Sequence, residues 1–312
     1  MPSKGKSLSI GIFLACLAAF IWSWNFIIAR AISNQVPPVA INFYRWSVAT
    51  IFIVPFAIRS FRKEKHILLQ HKQYLFWTAL AGISVFNTLL YVAGHYVTAI
   101  NLALLGTTTS PVISIILAAV FLKERISFLR VIGLLICITG ILFLLSSGHL
   151  QTLINFRFSK GDWIVLGAAF MFAVYNTLVR RKPSTISPVT FLFITFLIGT
   201  LLMIPAYLME RQYTTPVEWT WSLIGIFLYL GIAASVLSYF FWNLAIGHMG
   251  SARTALFGNL IPLFSILEAM IILGEQISMI AIFSGMLIIT GLVMANVEGL
   301  RQQRPALKEV SG

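Results

Sequence analysis

Long apolar runs alternate along this chain with short polar segments. A helix needs about 20 apolar residues to cross a hydrocarbon core of about 30 Å, and ten runs approach or exceed that length. Their apolar residues are continuous and do not alternate with polar ones, which favours helical spans over strands of a membrane barrel. The predicted spans are 9–29, 38–58, 74–93, 99–121, 128–147, 162–179, 188–209, 220–243, 251–273 and 279–297.

The composition supports the same interpretation. Hydrophobic residues make up 59% of the chain and charged residues 10%, whereas soluble domains carry about 25% charged residues. So few charges cannot cover a water-facing surface of this size. We therefore expect lipid to surround most of the chain, and the short connections leave no room for a domain outside the membrane.

The second half of the chain repeats the first. The shared prolines, glutamates and Thr-Gly pairs are harder to obtain by chance than shared leucines, and they recur at nearly one offset. A shift of 150 residues pairs Ala18-Ala19-Phe20 with Ala168-Ala169-Phe170, Arg30 with Arg180, Pro38-Val39 with Pro188-Val189, Phe43 with Phe193, Thr50 with Thr200 and Pro55 with Pro205. A shift of 151 pairs Pro111 with Pro262, Thr139-Gly140 with Thr290-Gly291, and Leu122, Glu124, Ile126 and Ser127 with Leu273, Glu275, Ile277 and Ser278.

Five spans in each copy predict inverted topology. After an odd number of spans, the second copy must enter the membrane from the opposite side. The repeats are predicted at 9–147 and 162–297, followed by a cytoplasmic tail at 298–312.

The basic residues predict the orientation. With the N-terminus inside, 17 of the 22 Lys and Arg residues fall in cytoplasmic segments, four fall outside, and Arg45 lies within a span. Cytoplasmic loops collect Lys and Arg, so both termini are predicted in the cytoplasm. Topology explains the net charge of +13, and nucleic-acid binding becomes an unnecessary interpretation.

These features resemble the EamA family of the drug/metabolite transporter superfamily. The resemblance rests on two five-span repeats, each with a proline inside a span, a Leu-x-Glu-x-Ile-Ser corner and a following Thr-Gly span, and it covers residues 9–297. It implies an all-α membrane protein of ten transmembrane helices around a central cavity, similar in size and layout to exporters of aromatic amino acids.

Polar and aromatic side chains within the spans are the candidates for that cavity. Polar groups at membrane depth are costly and usually face a cavity or another helix. The alternatives are packing, interfacial anchoring and hydrogen bonds between helices. The candidate cavity residues are Trp22, Asn25, Asn87, Tyr91, Tyr175, Asn176, Tyr239, Trp242 and Asn259.

Three titratable residues are candidates for charge recognition or proton coupling. Glu268 could bind a substrate amine or carry a proton, and its counterpart in the first repeat is the apolar Leu117. Alternatively, Glu268 could lie near the outer mouth and pair with water or an arginine. Arg45 could bind a carboxylate in a two-pronged way or serve as a structural ion-pair partner. His95 titrates near neutral pH, but it lies near the end of its span and could simply be solvated.

Two prolines in equivalent spans, Pro111 and Pro262, are candidate hinges. A proline inside a helix frees a carbonyl and permits bending. The alternative is a static kink. Glu124 and Glu275 are expected to be structural, capping the corners where they stand.

Together these features predict a secondary transporter that exports amino acids or similar small metabolites across the bacterial inner membrane by alternating access. The alternative is uptake or exchange of another small metabolite, nucleobase-like or cofactor-like, and proton coupling stays open. No Walker-type phosphate loop is present. We expect no cofactor, no metal and no enzymatic activity, because the five His and two in-span Cys residues are scattered.

Overall fold

The computed structural model describes residues 4–32, 35–96, 99–124, 126–146, 148–155, 159–264, 268 and 279–301. Within these ranges every regular element is a helix, so the prediction of an all-helical membrane protein is confirmed. Six helices are long and apolar enough to cross a membrane, and three shorter apolar helices accompany them.

The helices begin and end close to the predicted spans, because the length of each apolar run sets the length of its helix. They are α1 (Lys4–Ile32), α2 (Pro38–Gln70), α3 (Lys72–Ala93), α4 (Ala99–Leu122), α5 (Phe128–Leu145), α6 (Lys160–Arg180), α7 (Pro188–Tyr213), α8 (Trp221–Met249), α9 (Ser251–Leu256) and α10 (Met279–Arg301). A five-residue helix, Leu150–Ile154, lies between α5 and α6.

Two helices depart from the predicted spans. α2 continues 12 residues past the predicted end at 58, so the basic segment expected to be a loop is helical. The ninth span is irregular, since α9 ends at Leu256 and a 3₁₀ segment follows at Phe257–Leu260. Much of the rest of that span, and the second corner with Glu275, lie outside the described residues.

Serine side chains cap three of the helices. Ser127 accepts a hydrogen bond from the backbone N–H of Arg130 at the start of α5. Ser159 and Asp162 form a reciprocal capping box at α6, and Ser187 accepts from the Thr190 N–H at α7. Each side-chain oxygen satisfies one N–H that has no partner within its helix.

Glu124 does not cap the first corner as expected, because Ser127 holds that position. Its carboxylate instead lies 3.7 Å from the Arg180 guanidinium at the end of α6. This contact joins the corner after α4 to the other half of the chain.

Helices α2 and α7 lie side by side, and each supplies a carboxylate to the start of the other. Glu210 of α7 accepts from the backbone N–H groups of Val39 and Ala40, at 3.0 and 2.7 Å. Glu64 of α2 accepts from the Ser187 N–H, which lies 3.0 Å away. Anionic side chains stabilise helix N-termini, so this reciprocal pair fixes α2 against α7 at both ends. Burial lowers the pKa of Lys182 in the adjoining loop, and the Glu64 carboxylate opposes that shift.

Glycines allow α5 and α10 to cross closely. A Cβ atom on Gly133 would lie 2.4 Å from the Gly291 carbonyl oxygen, and one on Gly291 would meet Gly133 in the same way. Small residues at such crossings let two backbones approach. A larger residue at either position would force the helices apart.

α3 and α8 each contain a π-helical stretch, at Leu80–Val85 and Tyr229–Leu237. Such stretches are rare, and they often occur at functional sites. The two stretches occupy similar places in the two halves of the chain. They lie against the centre of the molecule, where they supply acceptors to the site described below.

Candidate functional site

A central cavity lies between α1, α2, α3, α4, α6, α8 and the segment that begins with α9. It contains about 740 Å³ of empty space, with its opening included. Its lining is mostly apolar, with a few polar groups from separate helices, as is usual for small-molecule sites. The lining side chains that bear on its chemistry are Trp22, Asn25, Arg45, Phe86, Asn87, Ser110, Phe172, Tyr239 and Trp242.

Arg45 is the charged residue of this lining, and its side chain is 1% exposed. Its Nε donates to Ser235 Oγ at 2.7 Å, and its Nη2 donates to the Ala234 carbonyl at 2.9 Å. Its Nη1 lies 2.9 Å from Tyr91 OH and 3.3 Å from both Asn25 Oδ1 and Asn87 Oδ1. All of these acceptors are neutral, so the guanidinium is held in place without a balancing charge.

The π-helical carbonyls orient the polar side chains. Ala234 O accepts from Arg45 and also from Trp22 Nε1 at 2.8 Å. Gly82 O accepts from Tyr239 OH at 3.0 Å and from Asn87 Nδ2 at 3.1 Å. Carbonyls of the two stretches thus accept hydrogen bonds from side chains of other helices as well as of their own helix.

Aromatic rings form one wall of the cavity. The Trp22 ring centroid lies 5.0 Å from that of Trp242, 5.5 Å from that of Tyr239 and 5.8 Å from that of Phe172. Phe86 stacks on Phe172 with centroids 4.6 Å apart. Edge-to-face and offset arrangements of this kind stabilise the wall beyond simple burial of area. The wall presents flat, polarisable surface to a solute.

Five of the nine predicted cavity residues line the cavity: Trp22, Asn25, Asn87, Tyr239 and Trp242. Three more lie directly behind it and support those that do. Tyr91 accepts from Arg45, and Asn176 accepts from Trp242 Nε1 at 2.8 Å. Tyr175 donates to Asn243 at 2.9 Å, and its ring lies against the backbone of Gly82, where a Cβ atom would not fit.

Asn259 and His95 are not brought to the cavity. Asn259 is fully buried, and its amide lies next to the Cys137 thiol of α5. The 3₁₀ segment explains this, because its tighter winding turns Gly258 and not Asn259 toward the cavity. His95 follows the end of α3 and is exposed.

Glu268 lies outside the lining. It is 4% exposed and accepts a short hydrogen bond from Ser23 Oγ on α1. Its second oxygen, Oε2, has no hydrogen-bond partner among the described residues. Trp22 and Asn25 lie on a different face of α1 from Ser23, and both line the cavity. The buried Glu268 carboxylate therefore contacts α1 on the side away from the cavity.

The two predicted hinge prolines differ in their surroundings. Pro111 lines the cavity from within α4, which continues through it without a break. Pro262 is buried and follows the 3₁₀ segment. Both freed carbonyls thus lie in helices that border the site, although the two backbones are not alike.

Sequence reasoning missed Ser23 and the backbone carbonyls of the π stretches. Ser23 carries no signal of its own, since an isolated serine in a span usually bonds to its own helix. The π stretches show only as the region where the internal repeat matches worst. Within the described part of the chain, no group of three His, Cys, Asp or Glu side chains could hold a metal ion.

Comparison with known proteins identifies the family. The model of the EamA-like transporter family matches the chain twice, at residues 9–146 and 159–297. The chain belongs to this family. It is therefore a multi-pass membrane transporter, and its resemblance to the family, drawn from the corner motifs, is confirmed.

Individual relatives are distant but cover most of the chain. An uncharacterized transporter of Bacillus subtilis is 25% identical over 93% of this chain and 94% of its own length. A protein of Salmonella typhimurium named as a probable amino-acid metabolite efflux pump is 25% identical over 96% and 98%. A probable terminal-alkyne amino-acid exporter of Streptantibioticus cattleyicolor is 27% identical over 72% and 73%.

One solved crystal structure has the same fold. It superimposes with a TM-score of 0.74 and covers 95% of this chain and 98% of its own, at 16% identity.

Proposed function

We propose that this transporter exports amino acids or similar small metabolites by alternating access across the bacterial inner membrane. The observation that carries the proposal is the central cavity, where an aromatic wall faces a fixed cation. Such a lining suits a solute with an apolar body and one charged group. Relatives named as exporters and efflux pumps support the direction. The second candidate is uptake or exchange of another metabolite through the same cavity.

We further propose that the chain forms ten spans as two inverted five-span repeats. This proposal is supported by a contact between two residues that the internal repeat pairs with each other. Thr50 Oγ1 and Thr200 Oγ1, which the 150-residue shift pairs, lie 3.2 Å apart. A contact between a residue and its own counterpart is expected where a two-fold axis passes between two copies.

The crossing of α5 and α10 supports the same symmetry. A Cβ on Gly133 would meet the Gly291 backbone, while one on Gly140 would lie 3.0 Å from the Ser284 carbonyl. The 151-residue shift converts the first pair into the second, because it relates Gly133 to Ser284 and Gly140 to Gly291.

Flux from cells and then from proteoliposomes tests the function. Metabolites released by overexpressing and deleted cells are compared by mass spectrometry, and the released compounds are then loaded into proteoliposomes. We expect amino acids or related small molecules to leave faster from vesicles that contain the protein. Equal release from empty vesicles would contradict the proposal. Accumulation inside cells on overexpression would favour the uptake alternative.

Labelling of introduced cysteines tests the orientation. Single cysteines at Lys63 and Gly312, in a chain with Cys16 and Cys137 replaced by Ser, should react only after the membrane is opened. Labelling of the position 312 cysteine in intact cells would refute a cytoplasmic C-terminus.

A further inference from the structure

The charge of Arg45 is not balanced by any acidic side chain that the structure describes. Arginine remains protonated at all physiological pH values, and a buried charge is destabilising unless an opposite charge compensates it. The guanidinium binds two amide oxygens, two hydroxyl oxygens and a carbonyl. The Trp46 ring, 5.2 Å from its central carbon, adds a weak cation–π attraction.

Each described acidic side chain is placed elsewhere. Glu64 and Glu210 hold helix starts, Asp162 completes the capping box of α6, and Glu124 pairs with Arg180. Glu218 is exposed before α8, and Glu268 bonds to Ser23 behind α1. Within the described ranges, therefore, the cavity holds a cation and no carboxylate.

Arg45 also keeps capacity for another acceptor. Its Nη2 carries two N–H groups, and the described structure gives that nitrogen one hydrogen bond, to Ala234 O. The polar groups around it rigidly orient the guanidinium while the aromatic wall lies within the same cavity. A carboxylate would supply both the missing charge and the missing acceptor.

We propose that the cavity selects an aromatic or bulky apolar monocarboxylate, with Arg45 as the carboxylate receptor, and disfavours a free α-ammonium group. This inference rests on the proposed function and narrows its solute class. An amino acid would bring an ammonium into a lining whose described residues offer it no carboxylate, so aromatic faces and amide oxygens would compensate its desolvation only in part. The deaminated or otherwise neutralised relative of the same amino acid avoids that loss.

Four matched ligands test the proposal on the purified full chain in nanodiscs at pH 7. They are 3-phenylpropanoate, phenylalanine, phenethylamine and 3-phenylpropanol, with acetate as a carboxylate that lacks the ring. Binding is followed by calorimetry. We expect 3-phenylpropanoate to bind at least tenfold more tightly than each of the others. Phenylalanine binding as tightly as 3-phenylpropanoate would overturn the proposal, because it would show that the ammonium is compensated.

Arg45→Gln tests the receptor, and Arg59→Gln is its matched control because Arg59 lies exposed on the same helix. The preference for 3-phenylpropanoate over 3-phenylpropanol should fall to about one in Arg45→Gln and persist in Arg59→Gln. An unchanged preference in Arg45→Gln would overturn the proposal. If Arg45→Gln does not fold, the ligand series on the unaltered protein still decides the question.

The same ligands separate this inference from the proposed function. Proteoliposomes that transport phenylalanine but show no preference for 3-phenylpropanoate would leave the exporter standing and remove the monocarboxylate selectivity. Release equal to that of empty vesicles for every solute screened would count against the exporter itself.

Discussion

Helices α2 and α7 occupy equivalent places in the two halves, yet they carry different chemistry at one position. Arg45 of α2 corresponds to Thr195 of α7 under the 150-residue shift. The first is a cation bonded to three other helices. The second is fully buried, and its hydroxyl bonds to the Phe191 and Leu192 carbonyls of its own helix. Five residues further on, Thr50 and Thr200 are alike and touch.

This comparison distinguishes residues that join the two halves from residues that line the cavity and determine which solute binds. Thr50 and Thr200, which touch between the two halves, stay equivalent, because a change in one would alter the contact with its counterpart. Positions that face the cavity are free to differ, since a solute has no such symmetry. Arg45 is where the departure is greatest.

Replacing Arg45, the charged residue without a charged counterpart, should have the largest effect on solute flux. In our proposal Arg45 pairs with the solute carboxylate, and truncating one member of a buried charge pair costs about 2–5 kcal/mol. Arg45→Gln should therefore lower the rate of solute flux about 100-fold. Thr195→Val should stay within about twofold, because its hydroxyl bonds only within α7. Proteoliposome flux at matched protein content measures both. Equal losses in the two variants would refute the comparison.

Removing part of the aromatic wall should have the next largest effect. Trp22→Ala deletes a ring that touches Tyr239, Phe172 and Trp242, and we expect about a tenfold loss of flux. Phe13→Ala is a suitable control, because Phe13 is 66% exposed on the lipid side of the same helix. Size-exclusion profiles check that both variants fold. Normal transport by Trp22→Ala would remove the wall from the site.

Glu268 offers a second asymmetry, since Leu117 is its counterpart. If its carboxylate carries a proton, flux of the unaltered protein should rise with an imposed pH gradient, and Glu268→Gln should abolish that rise. The measurement is flux with and without a pH gradient across the vesicle. Ser23→Ala, which removes the hydrogen bond to Glu268, should weaken the same response. A pH response that survives in Glu268→Gln would exclude it as the proton carrier.

The two carboxylate contacts between α2 and α7 should give the smallest effects. Glu64→Gln and Glu210→Gln each weaken a charged contact with a helix start, which contributes about 1 kcal/mol. We expect each variant to lower the unfolding temperature by about 2–4 °C. Thermal unfolding in detergent measures this. An unfolding temperature unchanged in both variants would show that these contacts do not stabilise the α2–α7 pair.

The sequence predicted the parts of this structure that depend on length and composition. The third span, predicted at 74–93, is observed as Lys72–Ala93, because the apolar run determines how much helix fits the membrane. Arg45 stood out for a similar reason, as a charge at membrane depth. What it binds depends on how four helices are rotated about their axes, and apolar periodicity is too weak in such buried helices to set that rotation.

The side-chain positions that depend on irregular backbone or on side-chain length could not be predicted from the sequence. Asn259 was placed in the cavity on the assumption of a regular helix, and the 3₁₀ segment turned it toward Cys137. Tyr91 and Asn176 were predicted to line the cavity. They instead bond to the lining residues Arg45 and Trp242, and so lie about one side-chain length behind the lining. Glu268 was identified as a candidate, whereas its partner Ser23 was not.

The π-helical stretches make the site sensitive to changes in chain length as well as to replacement of its side chains. Adjacent residues of an α-helix are about 100° apart around its axis. A one-residue deletion that the Tyr229–Leu237 stretch did not absorb would turn Tyr239 and Trp242 together, by about this angle, away from the cavity. Among relatives, such insertions and deletions should therefore move several lining side chains at once, which no single substitution does.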